Sequence, residues 1–390
     1  MIMPGPGQAK SRTAPACLPV PGRGRWQAAA VRVYACPGGD ELRGKARKRM
    51  KGRTIEIGGQ PVAPGTRRTV ELPVAALYTH THLNIPVHVV NGRRDGPTLF
   101  LTAAIHGDEL NGVEIIKRVL KRDILKGLRG RILAMPIVNV FGFIDQSRYL
   151  PDRRDLNRSF PGRGSGSLAA RLAHMVTTEI VAKADYGIDL HTGAVRRTNL
   201  PQVRADLSDP TVRRMAEAFG APVVIDAHPR DGSLRQHAGE VGVPTVLYEA
   251  GEALSFDELS IRIGVQGIIR VLRELAMLPP LERSRRAPKS IYTNATTWVR
   301  APMSGLIISR CRLGQQVRSH QVLARIGDPF GEVEVDVTAS QGGIVIGRST
   351  SPLAHEGDAL FHLARFDDTR GAKATVEEFQ LSNGVDHNWG

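Results

Sequence analysis

Four short segments carry residue types that could do chemistry together. The first is Ala104-Ile105-His106-Gly107-Asp108-Glu109, where an imidazole and a carboxylate stand three residues apart around a glycine. At a strand-to-helix turn that spacing lets both side chains converge on one ion, with Gly107 permitting the tight backbone. The pattern also serves plain structure, because a carboxylate at a helix start complements the helix dipole and a strand-end histidine is commonly hydrogen-bonded. The second segment, Asp189-Leu190-His191-Thr192-Gly193, ends the apolar run Tyr186-Gly187-Ile188. Strand alternation puts Asp189 and His191 on one face, so Asp189 either orients the imidazole or closes the strand with a hydrogen bond. Two histidines with one carboxylate make the open three-ligand set that leaves a position for water on catalytic zinc, whereas structural zinc sites close with four ligands rich in cysteine.

The third segment is Tyr248-Glu249-Ala250-Gly251, at the end of the run Val246-Leu247. A metal-assisted hydrolase needs a base that takes a proton from the attacking water and returns it to the leaving nitrogen, and Glu249 is the candidate; the alternative is a capping carboxylate beside Glu252. The fourth is the arginine-dense loop from Ser147 to Gly162, which contains Arg148, Arg154, Asn157 and Arg158. A guanidinium can grip a carboxylate through two parallel bonds, and another can stabilise the oxyanion formed when water attacks a carbonyl. A solvated basic loop is the bland alternative; the apolar Phe160-Pro161 turn after Asn157-Arg158 argues for an anchored loop instead.

These segments need elements to hold them. Pro86 to Val90, Thr98 to Ile105, Arg131 to Val140, Tyr186 to His191, Ala221 to Ile225 and Val243 to Ala250 are short apolar runs bounded by Gly, Pro or Asp, as buried strands are. Helical spacing of apolar residues follows over Val113 to Leu125, Leu168 to Ile180, Val212 to Phe219 after Asp209-Pro210, and Phe256 to Met277. The alternation predicts an α/β fold, a largely parallel sheet flanked by helices, with polar strand ends facing one crevice. Past a proline- and arginine-rich connection around 278–288, short alternating runs over 296–366 predict a smaller C-terminal all-β unit. The expected organisation is a disordered basic extension (1–53), a catalytic domain (54–287), a small β domain (288–368) and a polar, frayed tail (369–390).

Taken in order, His106-Gly-Asp-Glu109, Asp155-Leu-Asn157-Arg158-Ser-Phe160, Asp189-Leu-His191-Thr-Gly and Tyr248-Glu249-Ala-Gly resemble the motifs of the succinylglutamate desuccinylase/aspartoacylase family, relatives of the zinc carboxypeptidases. The resemblance spans roughly residues 54 to 366. It implies a carboxypeptidase-like mixed sheet and one zinc ion held by His106, Glu109 and His191, with Glu249 as general base and acid. It also implies that Asn157 and Arg158 bind the substrate carboxylate. For the arginine that polarises the scissile carbonyl, Arg148 matches the family pattern, while a longer intervening segment leaves Arg154 in competition. The implied activity is zinc-dependent deacylation of an N-acyl amino acid or similar small amide, with a carboxypeptidase-type peptidase as the nearest rival. Ala301-Pro-Met-Ser-Gly305 and Gly314-Gln-Gln-Val317 further resemble biotinyl or lipoyl carrier domains, but no lysine occupies a carrier-like hairpin there.

Composition narrows the alternatives. The net charge of +15 suggests nucleic-acid binding, yet residues 1–50 hold ten Lys/Arg against Asp40 and Glu41, so +8 of it sits in a Pro- and Gly-rich extension. The rest lacks interleaved aromatic and basic strand residues, so a nucleic-acid partner is not expected. No apolar run is long enough for a bilayer, and Cys17, Cys36 and Cys311 form no CxxC pair; the expectation is a cytoplasmic, soluble enzyme with no membrane partner, self-association staying open. Neither GxSxG nor GxxxxGK[ST] occurs, which disfavours serine nucleophiles and phosphate loops.

Overall fold

The computed structural model describes residues 52–76, 78–280 and 289–382. The expected basic extension (save residues 52 and 53), most of the proline-rich connection and the last eight residues of the tail lie outside the described residues.

The chain opens with β1 (Ile55–Ile57), β2 (Gln60–Val62), β3 (Arg67–Ala76), β4 (His82–Asn91) and β5 (Arg94–Ala103). Then come α1 (Asn111–Leu120), β6 (Arg129–Met135), α2 (Val140–Ile144), α3 (Leu168–Glu179), β7 (Tyr186–Gly193) and β8 (Arg197–Ala205). The helix-rich part finishes with α4 (Pro210–Phe219), β9 (Val223–Asp226), α5 (Leu234–Glu240), β10 (Thr245–Glu252) and α6 (Glu258–Glu274). The remainder is mostly strand: β11 (Ile291–Thr293), β12 (Ala295–Arg300), β13 (Gly305–Ser309), β14 (Gln316–Val317) and β15 (Val322–Gly327). After them come β16 (Glu334–Thr338), β17 (Gly343–Ser349), β18 (Leu353–Ala354), β19 (Ala359–Arg365) and a closing helix, α7 (Thr369–Ser382).

One large mixed sheet runs in the order β12-β19-β17-β8-β10-β7-β5-β6-β4-β3, with β9 added beside β8. Its centre is parallel, β5 pairing with β6 and β7, and β7 with β10. Parallel strands need crossovers, and the helices supply them by covering both faces. On one face Ile115, Ile116 and Val119 of α1 pack with Val212, Met215 and Phe219 of α4 and with Ile261, Ile268 and Val271 of α6. On the other, Leu172 and Val176 of α3 pack with Leu234 and Ala238 of α5 under β4 and β5. Burying each of the larger side chains stabilises by about 1.5–3 kcal/mol. Capping fixes where these helices start: Ser167, Asp209, Ser233 and Asp257 each accept a first-turn N–H, and Pro210 occupies the first turn of α4. This is the mixed α/β architecture that the resemblance implies; the largely parallel sheet expected from the apolar runs is corrected, since β3, β4, β8, β12, β17 and β19 pair antiparallel with neighbours around the parallel centre.

Three further features depart from the sequence reading. Strand β8 was not anticipated, because its Pro201 and its polar Asn199, Gln202 and Arg204 conceal it from a search for apolar runs. The C-terminal strands do not all stay apart from the large sheet. A four-stranded sheet, β16-β15-β13-β18, packs on its own core, which includes Leu323, Ile326 and Val337, while β12, β19 and β17 extend the large sheet through β17 against β8. Finally, the frayed tail expected from Thr369 is corrected over 369–382, where α7 buries Ala372, Val376 and Phe379 at helical spacing.

Candidate active site

The crevice forms at the C-terminal ends of β5, β7 and β10. His106 and Glu109 lie in the turn between β5 and α1, where Gly107 is pressed so closely against the Gly142 backbone that a Cβ would collide with it. Register places Thr102 opposite Asp189 and His191 opposite Glu249, so these side chains lie on one face at neighbouring strand positions.

His106, Glu109 and His191 are all buried, and one ligand atom from each lies within 4.8 Å of the others. Glu109 stands between the rings, with Oε1 2.7 Å from His106 Nδ1 and Oε2 2.8 Å from His191 Nδ1. The outer nitrogens are also held: His191 Nε2 is 2.8 Å from Asp189 Oδ2 and His106 Nε2 is 3.3 Å from Asp155 Oδ1. Asp189, fully buried, accepts a further bond from the Thr102 hydroxyl at 2.7 Å. Carboxylates behind the ligand imidazoles are the usual way of fixing ring orientation at a metal.

Charge balance follows the same geometry. Burial opposes the charged form of Glu109, but the two imidazoles hold its carboxyl well below the usual range. Burial likewise works against His191, yet Asp189 and Glu109 outweigh it and raise the ring well above its ordinary value; Glu109 and Asp155 raise His106 in the same way. The pocket therefore favours positive charge at its centre. With two nitrogen donors, one carboxylate and no thiolate, the donor set suits a borderline divalent ion such as zinc.

The two arginines weighed for the carbonyl separate cleanly. Arg148 reaches the cluster, its Nη1 3.3 Å from Glu109 Oε1 and its Nη2 3.2 Å from Asp155 Oδ2. Arg154 does not: its side chain is 62% exposed and lies 3.6 Å from Asp152 Oδ2, because the chain turns outward between Leu150 and Asp155. Asn157 is buried, and its Oδ1 accepts the Leu234 N–H at the start of α5, which anchors the loop as expected. Arg158 is exposed beside it, its guanidinium donating to the Asn157 carbonyl.

Glu249 is held at both oxygens, by Asn199 Nδ2 on Oε1 and Arg204 Nε on Oε2, each at 2.6 Å. Neither partner was picked out from the sequence, nor were Arg230 and Arg235. Arg235 is buried, with Nη1 unpartnered; burial and nearby Arg204 push its guanidinium down to about 10. Burial and the charges of Arg158 and Arg204 lower Arg230 too. The signal available for Gln202 and Arg204 was two-residue spacing in a strand whose apolar residues, Leu200, Val203 and Ala205, form no continuous run.

These features define a crevice on an α/β sheet with a buried His–Glu–His cluster that could hold a metal ion. Residues 95–275 match the Succinylglutamate desuccinylase/Aspartoacylase catalytic domain. The N-alpha-acetyl-L-2,4-diaminobutyric acid deacetylase of Halomonas elongata is 29% identical over 303 residues, covering 74% of this chain and 87% of that protein. A succinylglutamate desuccinylase/aspartoacylase structure from Rhodobacter sphaeroides superposes with TM-score 0.69 at 25% identity, covering 77% of this chain and 96% of that one. The product-bound ectoine utilization protein of Ruegeria pomeroyi gives TM-score 0.69 at 26% identity over 76% of this chain and 95% of its own. The family model, the deacetylase relative and these solved structures all liken the chain to the succinylglutamate desuccinylase/aspartoacylase family.

Proposed function

We propose that this protein is a zinc-dependent deacylase that hydrolyses the amide bond of an N-acyl amino acid or a related small amide. The observation that carries the proposal is the convergence of His106, Glu109 and His191, with Glu249 at the adjacent position across β7 and β10. His106, Glu109 and His191 would hold the zinc ion, which when bound would supply a lowered water pKa, about 7, and polarisation of the carbonyl. Glu249 takes the proton of the attacking water and delivers it to the leaving nitrogen. Arg148 faces the position where negative charge develops on the carbonyl oxygen. Arg158 and Asn157 hold the substrate carboxylate at the mouth. The Halomonas deacetylase, which removes an acetyl group from an amino acid nitrogen by its name, supports this reading.

Charge narrows the substrate. Among the described residues, Arg148 and Arg204 have carboxylate partners, whereas no carboxylate lies within ion-pair distance of Arg158, Arg230 or Arg235. That excess suits an anionic substrate. Among the described residues no helix is long and apolar enough to cross a membrane.

The test is elemental analysis of purified protein, then chelation and add-back in an assay on N-acyl amino acids. Activity lost on chelation and restored by one equivalent of zinc is expected; full activity in metal-free protein would refute the proposal.

A further inference from the structure

The two groups that grip Glu249 both come from β8, at positions 199 and 204. In a regular strand an odd separation sends side chains to opposite faces. Here the pairing slips, since Glu249 faces Gln202 while Gly251 faces Asn199, so three steps along β8 match two along β10. The extra residue is a bulge, and it contains Pro201, which has no N–H to offer a ladder. Its effect is to turn Asn199 onto the face that carries Arg204 and Glu249.

Asn199 is in turn seated from the C-terminal strands. It pairs with Gly347 of β17, where an added Cβ would fall 2.6 Å from Asn199 Oδ1 and 3.2 Å from His362 Cβ. Only a glycine leaves Asn199 where it is. His362 is buried and stacks on Trp298 with centroids 4.4 Å apart and planes 4° from parallel, and the Arg197 guanidinium lies 4.7 Å from the Trp298 ring centroid. This stack, built from β8, β12 and β19, stiffens the junction behind Asn199.

We infer that Arg204 and Asn199 are positioning residues that clamp the Glu249 carboxylate toward His191, and that Gly347 of the C-terminal strands seats the clamp. The inference rests on Glu249 being the base proposed above. Its consequence is that the C-terminal strands act on the chemical step through a backbone contact.

The experiment measures kcat and KM of the zinc-loaded enzyme on one N-acyl substrate, with metal content and melting temperature, for Glu249→Gln, Asn199→Asp, Arg204→Gln, Arg204→Lys and Gly347→Ala. Asn199→Asp is isosteric and exchanges a donor for a second carboxylate, which cannot ionise freely beside the first. It is expected to lower kcat about 100-fold, within the range for lost general-base catalysis, with KM nearly unchanged. Arg204→Gln should behave alike, with Arg204→Lys restoring part of the loss, and Gly347→Ala should lower kcat about tenfold as Asn199 is displaced. Unchanged kcat in Asn199→Asp and Arg204→Gln, with Glu249→Gln inactive, overturns the clamp and leaves the base. A rise in KM alone also overturns it, making Arg204 a substrate ligand. An active Glu249→Gln refutes the parent reading instead. Should Arg204→Gln fail to fold, Asn199→Asp decides alone.

Discussion

His106, Glu109 and His191 reach one another from the ends of parallel strands, whereas Glu249 meets Arg204 and Asn199 across an antiparallel pair that carries a bulge. On the first side the two histidines sit at the ends of largely buried apolar strands, and β5 is inaccessible from Thr98 to Ala103 apart from a trace at Thr98. Rigidity there comes from the surrounding core. On the second side β8 is polar toward the crevice, and rigidity comes from hydrogen bonds and from strands more than a hundred residues later in the chain. In the proposed reading one side of the crevice holds a cation and the other aims a carboxylate, and each can be damaged without the other.

The largest expected effects separate the two sides. His191→Ala should remove both metal and activity, while Glu249→Gln should keep one equivalent of metal and lose about 10²–10⁴ in kcat. Metal analysis beside steady-state kinetics checks this; loss of metal in Glu249→Gln would erase the distinction between the sides.

Next in size is the arginine pair. Arg148 contacts Glu109 and Asp155, so Arg148→Met should lower kcat by about 10²–10³, the usual cost of a lost oxyanion donor. Arg154→Met, at an exposed side chain, should change neither kcat nor KM. Equal losses in both variants would mean that the loop acts through its overall charge.

Legibility followed the same division. His106, His191 and Glu249 could be singled out because each ends an apolar run, which a single sequence displays most plainly, and Glu109 by its three-residue spacing from His106. Arg148 and Arg154 could not be separated, because whether a loop residue faces in or out depends on tertiary contacts that no local spacing encodes. Asn199 and Arg204 were invisible for a different reason. Odd spacing contradicts a shared face unless a bulge is known, and Pro201 reads as a strand breaker. In α7 the apolar positions 372, 376 and 379 did follow helical spacing, but the polar residues between them masked it.

Smaller still is the effect of the carboxylate behind the metal ligand. Asp189→Asn should weaken metal affinity about 10–100-fold, by loosening His191, with kcat at saturating zinc much less affected. Competition with a calibrated chelator gives the affinity. An unchanged value would mean that Thr102 and the strand alone orient the ring.

The smallest effect probes the junction that seats Asn199. Burial, then Arg204, Arg197 and Arg230, push the His362 ring down to about 3, so it stays neutral in the fold. In the unfolded chain a histidine takes up a proton near pH 6.5. Between those values the unfolded state binds the extra proton, so the stabilisation His362 provides is complete above about pH 6.5 and declines as pH falls toward 3. At pH 5 the decline amounts to about 2 kcal/mol, from about 1.4 kcal/mol per pH unit. His362→Phe retains a ring against Trp298 and removes the titration, so its stability should fall less than that of the parent between pH 7 and pH 5, as read by urea unfolding at each pH. If the two proteins lose the same stability over that interval, His362 is not the neutral partner in the stack, and the stiffness behind Asn199 must come from the β17 backbone alone.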